Sequence, residues 1–108
     1  EDALTGDTAL STAWHILEYA SDGTTVTAVV DGVAQTLTET TGANSGDWGS
    51  DNTTGTIDNT VLGGVLGSSA ANLLKGSIAE VLVYNAAPTA IDITKIRRNL
   101  ASKYGVTV

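Results

Sequence analysis

The sequence predicts an all-β fold, an antiparallel β-sandwich, followed by one C-terminal α-helix. Two turn signals, Asp22-Gly23 and Asp31-Gly32, separate segments rich in alternating and β-branched residues, a pattern typical of antiparallel hairpins. A further alternating segment covers residues 76–84, and a helical period follows over residues 89–104. Strands therefore come first along the chain, and the helix closes it.

The two turn signals predict a three-stranded meander over residues 14–20, 24–30 and 33–40. Alternation along the first strand divides its side chains between two faces. One face carries Trp14, Ile16 and Glu18, and the other carries His15, Leu17 and Tyr19. The second strand is rich in β-branched residues, which fit a pleated surface.

Residues 76–84 form the strongest predicted strand, and both of its faces are largely apolar. Such a strand is typically central in its sheet, with a neighbour on each side. The chain offers few candidates for those neighbours: residues 60–63 and the residues before Trp14. We therefore expect an apolar surface beside residues 76–84, covered by an N-terminal segment of the same polypeptide or by another subunit.

The predicted helix begins after Thr89, whose hydroxyl is a good N-cap, with Asp92 placed to support the first turn. Gly105 is a natural residue to end it. The apolar positions recur at helical spacing and form one face, made of Ile93, Ile96, Leu100 and Tyr104. That face needs the sheet as its partner.

Composition excludes several classes of protein. The net charge is −7, and residues 1–74 contain no Lys or Arg, so binding to nucleic acid through a general basic surface is not expected. No apolar run is long enough for a membrane span, so membrane insertion is not expected. The chain has no cysteine and no methionine and begins at Glu1. We expect one domain over residues 1–108, with strands in 1–86 and the helix in 87–105, as part of a larger polypeptide or assembly.

A long polar loop over residues 41–59 is the predicted functional region, since loops of this length are commonly functional or disordered. Trp48 suits a sugar platform or an interface anchor, unless it folds back onto the sandwich. The predicted ligand-binding residues are Asn44, Asp47, Trp48 and Asn52. Oxygens of Asp47, Asp51 and Asp58 are candidate ligands for Ca²⁺, the one cofactor the sequence suggests, although their spacing is not that of an EF-hand.

Catalysis is not expected from the sequence. The four glutamates stand far apart, so no strand carries the pair of positioned carboxylates that glycoside hydrolysis needs. His15 has no serine or cysteine nucleophile motif beside it, and we interpret it as a partly buried strand histidine.

Three segments, Trp14-His15-Ile16-Leu17-Glu18-Tyr19, Asp22-Gly23 and Val29-Val30-Asp31-Gly32-Val33, resemble laminin G-like domains of the concanavalin A-like lectin/glucanase superfamily. Leu62-Gly63-Gly64 and the segment from Gly76 to Asn85 resemble the closing strand of that fold. The tail from Ala87 to Val106 resembles the helix that follows it in many phage and bacterial surface proteins. The resemblance implies a jelly roll, of which this chain is either a minimal form or the C-terminal part. In the second case the preceding strands belong to an N-terminal segment or are supplied by another chain.

The resemblance implies a non-catalytic function at an extracellular or virion surface. One expectation is a glycan-binding or adhesion module that uses the rim loops. The alternative is a structural subunit of a phage or other surface assembly, in a capsid, tail or fibre, that contacts neighbouring protein subunits. Fold alone does not separate the two, because function lies in sites carried by the fold.

Overall fold

The computed structural model describes residues 3–46, 63, 65–66, 70–71 and 73–108. Within them the chain is β-rich and ends in one helix. The strands are β1 (Ala3–Gly6), β2 (Leu17–Ser21), β3 (Val26–Val30), β4 (Val33–Ala34), β5 (Leu37–Thr41), β6 (Val65–Leu66) and β7 (Ala70–Ala71), and the helix is α1 (Ala90–Tyr104). Two compact units divide the chain: residues 1–48 with 85–108, and residues 49–84.

The first unit contains two antiparallel sheets, a three-stranded one in the order β2-β3-β4 and a two-stranded one that joins β1 to β5. In the first, Leu17 lies opposite Val30 and Ser21 opposite Val26. The predicted meander is confirmed for β2 and β3. These sheets and the helix establish an antiparallel β-rich fold with a C-terminal helix.

The third strand of the meander differs from the prediction of one strand over residues 33–40. Only Val33 and Ala34 pair with β3, and residues 37–41 pair instead with β1. Gln35 lies at the division: its backbone N–H donates to the Ala28 carbonyl at 2.9 Å. Its side-chain oxygen accepts from the N–H of Thr8 at 3.1 Å. The residue thus ends one sheet and holds the N-terminal segment beside the next.

Both predicted hairpin turns have the backbone geometry that their sequences favour. Asp31 and Gly32 have φ of 49° and 83°, the pair of positive values found in a tight two-residue hairpin turn. Between β2 and β3, Gly23 has φ of 88°. One oxygen of Asp22 accepts hydrogen bonds from the N–H groups of Thr24 and Thr25, both at 2.8 Å. Those bonds close the turn.

The helix begins and ends as predicted. Thr89 accepts a hydrogen bond from the N–H of Asp92 at 3.2 Å, and Gly105 takes the left-handed conformation at φ 68°. The predicted apolar face is half-buried at each of its positions, Ile93, Ile96, Leu100 and Tyr104.

The helix contacts the three-stranded sheet through the face of the first strand segment that carries Trp14, Ile16 and Glu18. The Trp14 ring lies 6.2 Å from that of Tyr104, and Glu18 pairs with Arg97. Among the described residues, the buried hydrophobic side chains are Ile16, Ala28 and Ala101. The core of this unit is therefore small, and polar and aromatic contacts at its border supplement it.

The second unit contains the antiparallel pair β6–β7. Residues 73–84 follow it without being part of any strand, so the strand predicted over residues 76–84 is not formed in this chain alone. Of the predicted strand 60–63, only Gly63 is within the described residues. An alternating sequence has strand propensity, but a strand also needs a hydrogen-bonded neighbour.

Candidate functional site

Most of the predicted loop site lies outside the described residues. This applies to Asp47, Trp48, Asp51, Asn52 and Asp58. Ligand binding and Ca²⁺ binding at these residues therefore stay predictions from the sequence. Within the part of the chain that the structure describes, no three His, Asp or Glu side chains come together in a way that suits a metal ion.

Asn44 is the one predicted ligand-binding residue that is described, and it has a structural role. Its side-chain oxygen accepts from the N–H of Val26 at 2.6 Å, and its amide nitrogen donates to the Val26 carbonyl at 3.0 Å. The amide thus pairs with β3 as a neighbouring backbone would. Ligand binding by Asn44 stays a prediction, and in this structure the side chain fixes the loop to β3.

Gly46 brings the same loop against the turn between β2 and β3. It is buried and has φ of 71°, and its carbonyl accepts a hydrogen bond from the hydroxyl of Ser21. A Cβ at this position would overlap the backbone of Thr24 and Thr25. Only glycine fits here, because the position combines a left-handed backbone with close approach of another segment.

The described part of the second unit includes an exposed apolar surface. Every residue from 73 to 84 is exposed. The exposed fractions are 50% for Ile78, 48% for Val81, 46% for Leu82 and 88% for Val83. The prediction that residues 76–84 carry an uncovered apolar surface in this chain is therefore confirmed. We refer to residues 73–84 as the apolar segment.

A chain of hydrogen bonds joins Ser11, His15 and Asp31 in the first unit. Ser11 Oγ lies 2.9 Å from His15 Nε2, and His15 Nδ1 lies 2.6 Å from Asp31 Oδ2. His15 and Asp31 are partly buried, with side chains 19% and 24% exposed, whereas Ser11 is exposed. The interpretation of His15 as partly buried is confirmed, although the residue precedes β2 instead of lying in a strand. The sequence showed no serine nucleophile motif near His15, and the structure places the Ser11 hydroxyl beside its ring.

Asp31 is fixed at the turn by both of its carboxylate oxygens and by its backbone. Oδ1 accepts from the N–H of Ile16 at 2.8 Å, and its own N–H donates to the Ile16 carbonyl at 3.0 Å. Because a carboxylate only accepts, Oδ2 takes its hydrogen from Nδ1 of His15. In the neutral ring the lone pair of Nε2 then faces Ser11.

Part of this arrangement was accessible from the sequence. In the hairpin register Leu17 lies opposite Val30, so the residues before β2 lie beside the Asp31-Gly32 turn. Pairing of His15 with Asp31 follows from that register. The position of Ser11 does not, since it depends on a bend at residues 12–13. In that bend the N–H of Ala13 donates to Ser11 Oγ at 3.1 Å.

Comparisons with protein-family models, curated proteins and solved structures find no match to this chain. Among the described residues, no helix has both the length and the apolar character needed to cross a membrane.

Proposed function

We propose that this chain is a contact module of an extracellular or virion-surface assembly, in which the apolar segment binds another polypeptide. We further propose that the antiparallel sheets belong to a concanavalin A-like sandwich. The first proposal depends on one observation, the exposure of the apolar segment in a chain whose overall net charge is −7. The second depends on the sequence resemblance and is consistent with the antiparallel hairpins.

The uncovered hydrophobic surface of the apolar segment favours association with a partner. Burial of a Val, Leu or Ile side chain stabilises a protein by about 1.5–3 kcal/mol, and this segment leaves several such side chains in water. Val83 is 88% exposed. Contiguous exposed apolar surface in a protein typically marks an interaction site.

The alternation of the segment indicates how a partner would bind. An extended polypeptide can add to the edge of a sheet, where backbone hydrogen bonds give affinity and alternate side chains enter the partner. Residues 76–84 have that alternation and are not part of a strand in the chain alone. We propose that they become a strand when the partner pairs with them.

Two substitutions test the proposal. Replacement of Leu82 and Val83 by Asp is expected to lower binding of a hydrophobic dye and concentration-dependent association in sedimentation experiments. Ile91→Asp is the matched control, because Ile91 is 68% exposed but lies on α1. A wild-type chain that binds no dye and stays monomeric at all concentrations would contradict the proposal, as would equal effects of the control.

Hydrogen exchange gives a second readout on assembled material. The backbone amides of residues 76–84 are expected to gain protection when the chain is incorporated into its assembly, because new strand hydrogen bonds shield them. Unchanged exchange in this segment upon assembly would show that the contact is made elsewhere.

A further inference from the structure

We propose that Ser11 is a nucleophile for small activated acyl donors, with His15 as its general base and Asp31 as the residue that positions the imidazole. This activity goes beyond the contact function proposed above and uses other residues. Two hydrogen bonds join these groups in the order that serine acylation needs. Ser11 Oγ lies 2.9 Å from His15 Nε2, and His15 Nδ1 lies 2.6 Å from Asp31 Oδ2.

The hydrogen bonds select the useful direction of proton transfer. Ser11 Oγ accepts a hydrogen bond from the N–H of Ala13, which leaves its own O–H to donate to His15. Asp31 accepts from Nδ1 and so holds the proton on that nitrogen. The neutral imidazole therefore offers the lone pair of Nε2 to the serine proton.

The three hydrogen-bonded residues differ in their exposure to solvent in the way that the reaction needs. Ser11 is exposed, so an acyl donor reaches the hydroxyl from solvent. His15 and Asp31 are mostly shielded, at 19% and 24% exposure, so their contact is less screened by water. The carboxylate is also fixed by the N–H of Ile16, which limits how far the imidazole can turn.

The reaction is an acyl transfer. Ser11 Oγ bonds to the carbonyl carbon of an ester while its proton passes to His15 Nε2. The tetrahedral intermediate collapses, the bond to the leaving oxygen breaks, and that oxygen takes the proton from Nε2. Water then attacks the acyl-serine by the same route, which releases the carboxylic acid and restores Ser11.

The surroundings of Ser11 restrict the substrate class and the rate. The N–H of Ala13 lies 3.1 Å from Oγ and donates to the nucleophile itself, so we do not assign it to the developing oxyanion. Oxyanion sites typically supply more than one donor. We therefore expect acylation by esters with a good leaving group, such as 4-nitrophenyl acetate, and slow deacylation.

The test is acylation of the intact chain by 4-nitrophenyl acetate and by a fluorophosphonate probe, followed by mass spectrometry of the modified peptide. One adduct on Ser11 is expected. Ser11→Ala should abolish it, and His15→Ala should slow it by about 10²–10⁴-fold, the usual contribution of a general base. Thr8→Ala is the matched control, since it removes an exposed hydroxyl near Ser11 but outside the bend at residues 12–13 and should leave the rate unchanged.

Asp31→Asn tests the positioning role. Asn suits the left-handed turn position and keeps an acceptor for the N–H of Ile16, so the melting temperature should change little. The acylation rate should fall, and nitrogen NMR of His15 should show loss of the preference for a proton on Nδ1. Equal acylation of wild type and Ser11→Ala would overturn the proposal. So would an unchanged rate in both His15→Ala and Asp31→Asn.

Discussion

Glu18 and Arg97 form a two-point ion pair between β2 and α1. Arg97 donates through Nε to one carboxylate oxygen at 2.5 Å and through Nη2 to the other at 2.9 Å. The two side chains are only 25% and 21% exposed, and the bond to Glu18 raises the pKa of Arg97 above its usual value. Paired donors from a planar guanidinium fix the angle as well as the distance between helix and strand.

Arg97→Met is expected to destabilise the first unit by about 1–2 kcal/mol, because it leaves a partly buried Glu18 carboxylate without its partner. Arg97→Lys should recover only part of the loss, since an ammonium group does not make the two parallel bonds. Urea unfolding measures both. Lys95→Met is the control, because its pair with Asp92 is exposed and 3.8 Å long. A loss of equal size in the control would contradict the argument.

Gly46 is expected to be the least replaceable glycine of the described loops. Gly46→Ala should lower the melting temperature strongly, since it forces a Cβ against the backbone of Thr24 and Thr25. Gly23→Ala is the matched control. It has positive φ as well, 88°, but open space around it, so it should cost only the left-handed strain of about 1 kcal/mol. Similar losses for the two variants would show that close approach plays no part.

Asp22 predicts a dependence of stability on pH. Hydrogen bonds from Thr24 and Thr25 lower the pKa of its carboxyl from 3.8 to about 2. Because the pKa is lower in the folded chain, the stabilising contribution is complete above pH 3.8. It is lost as the pH falls through about 2. The advantage of wild type over Asp22→Asn should therefore shrink across this window.

Thermal unfolding from pH 5 to pH 2 measures the effect of Asp22. Asp7→Asn serves as the control, since it removes one surface carboxylate outside the turn. A difference between wild type and Asp22→Asn that stays constant across the whole range would contradict the role of the turn.

Short sequence motifs predicted the turns and the helix ends correctly, but they did not predict which distant strands pair. The caps at Thr89 and Gly105 follow from side-chain chemistry within a few residues, and the sequence predicted both. The division of residues 33–40 between two sheets depends on Gln35 meeting the segment at Thr8, a contact between distant positions. The same holds for the site: the observed hairpin register accounts for His15 beside Asp31, a pairing that the sequence analysis did not predict. The position of Ser11 required a bend that no periodicity encodes.

Ligand binding by the long loop remains a prediction from Asp47, Trp48 and the neighbouring polar residues. If Ca²⁺ binds to Asp47, Asp51 and Asp58, millimolar Ca²⁺ should raise the melting temperature relative to excess chelator, because binding to the folded state stabilises it. Mg²⁺ at the same concentration controls for ionic strength. An unchanged melting temperature argues against the metal.

Glycan binding by the same loop is tested on a glycan array. Trp48→Ala should abolish any binding if the indole is the sugar platform. Unchanged glycan signals argue against that role of Trp48.

The apolar face of α1 offers a comparison between two isoleucines on one helix. Ile96 is half-buried, whereas Ile91 is 68% exposed. Ile96→Ala should destabilise the chain by about 1–2 kcal/mol, less than the loss at a fully buried site because part of the side chain already meets water. Ile91→Ala should change stability by no more than about 0.5 kcal/mol, as surface substitutions usually do.

Both isoleucine variants have the same change in helix propensity, so the difference between them measures packing against the sheet alone. Urea unfolding followed by far-ultraviolet circular dichroism gives the two free energies. If the helix were an independent tail, the two substitutions would have equal effects, and its removal at Thr89 would leave the unfolding of the strands unchanged. If it packs as the contacts of Glu18 and Trp14 indicate, Ile96→Ala should weaken helix and strands in one transition.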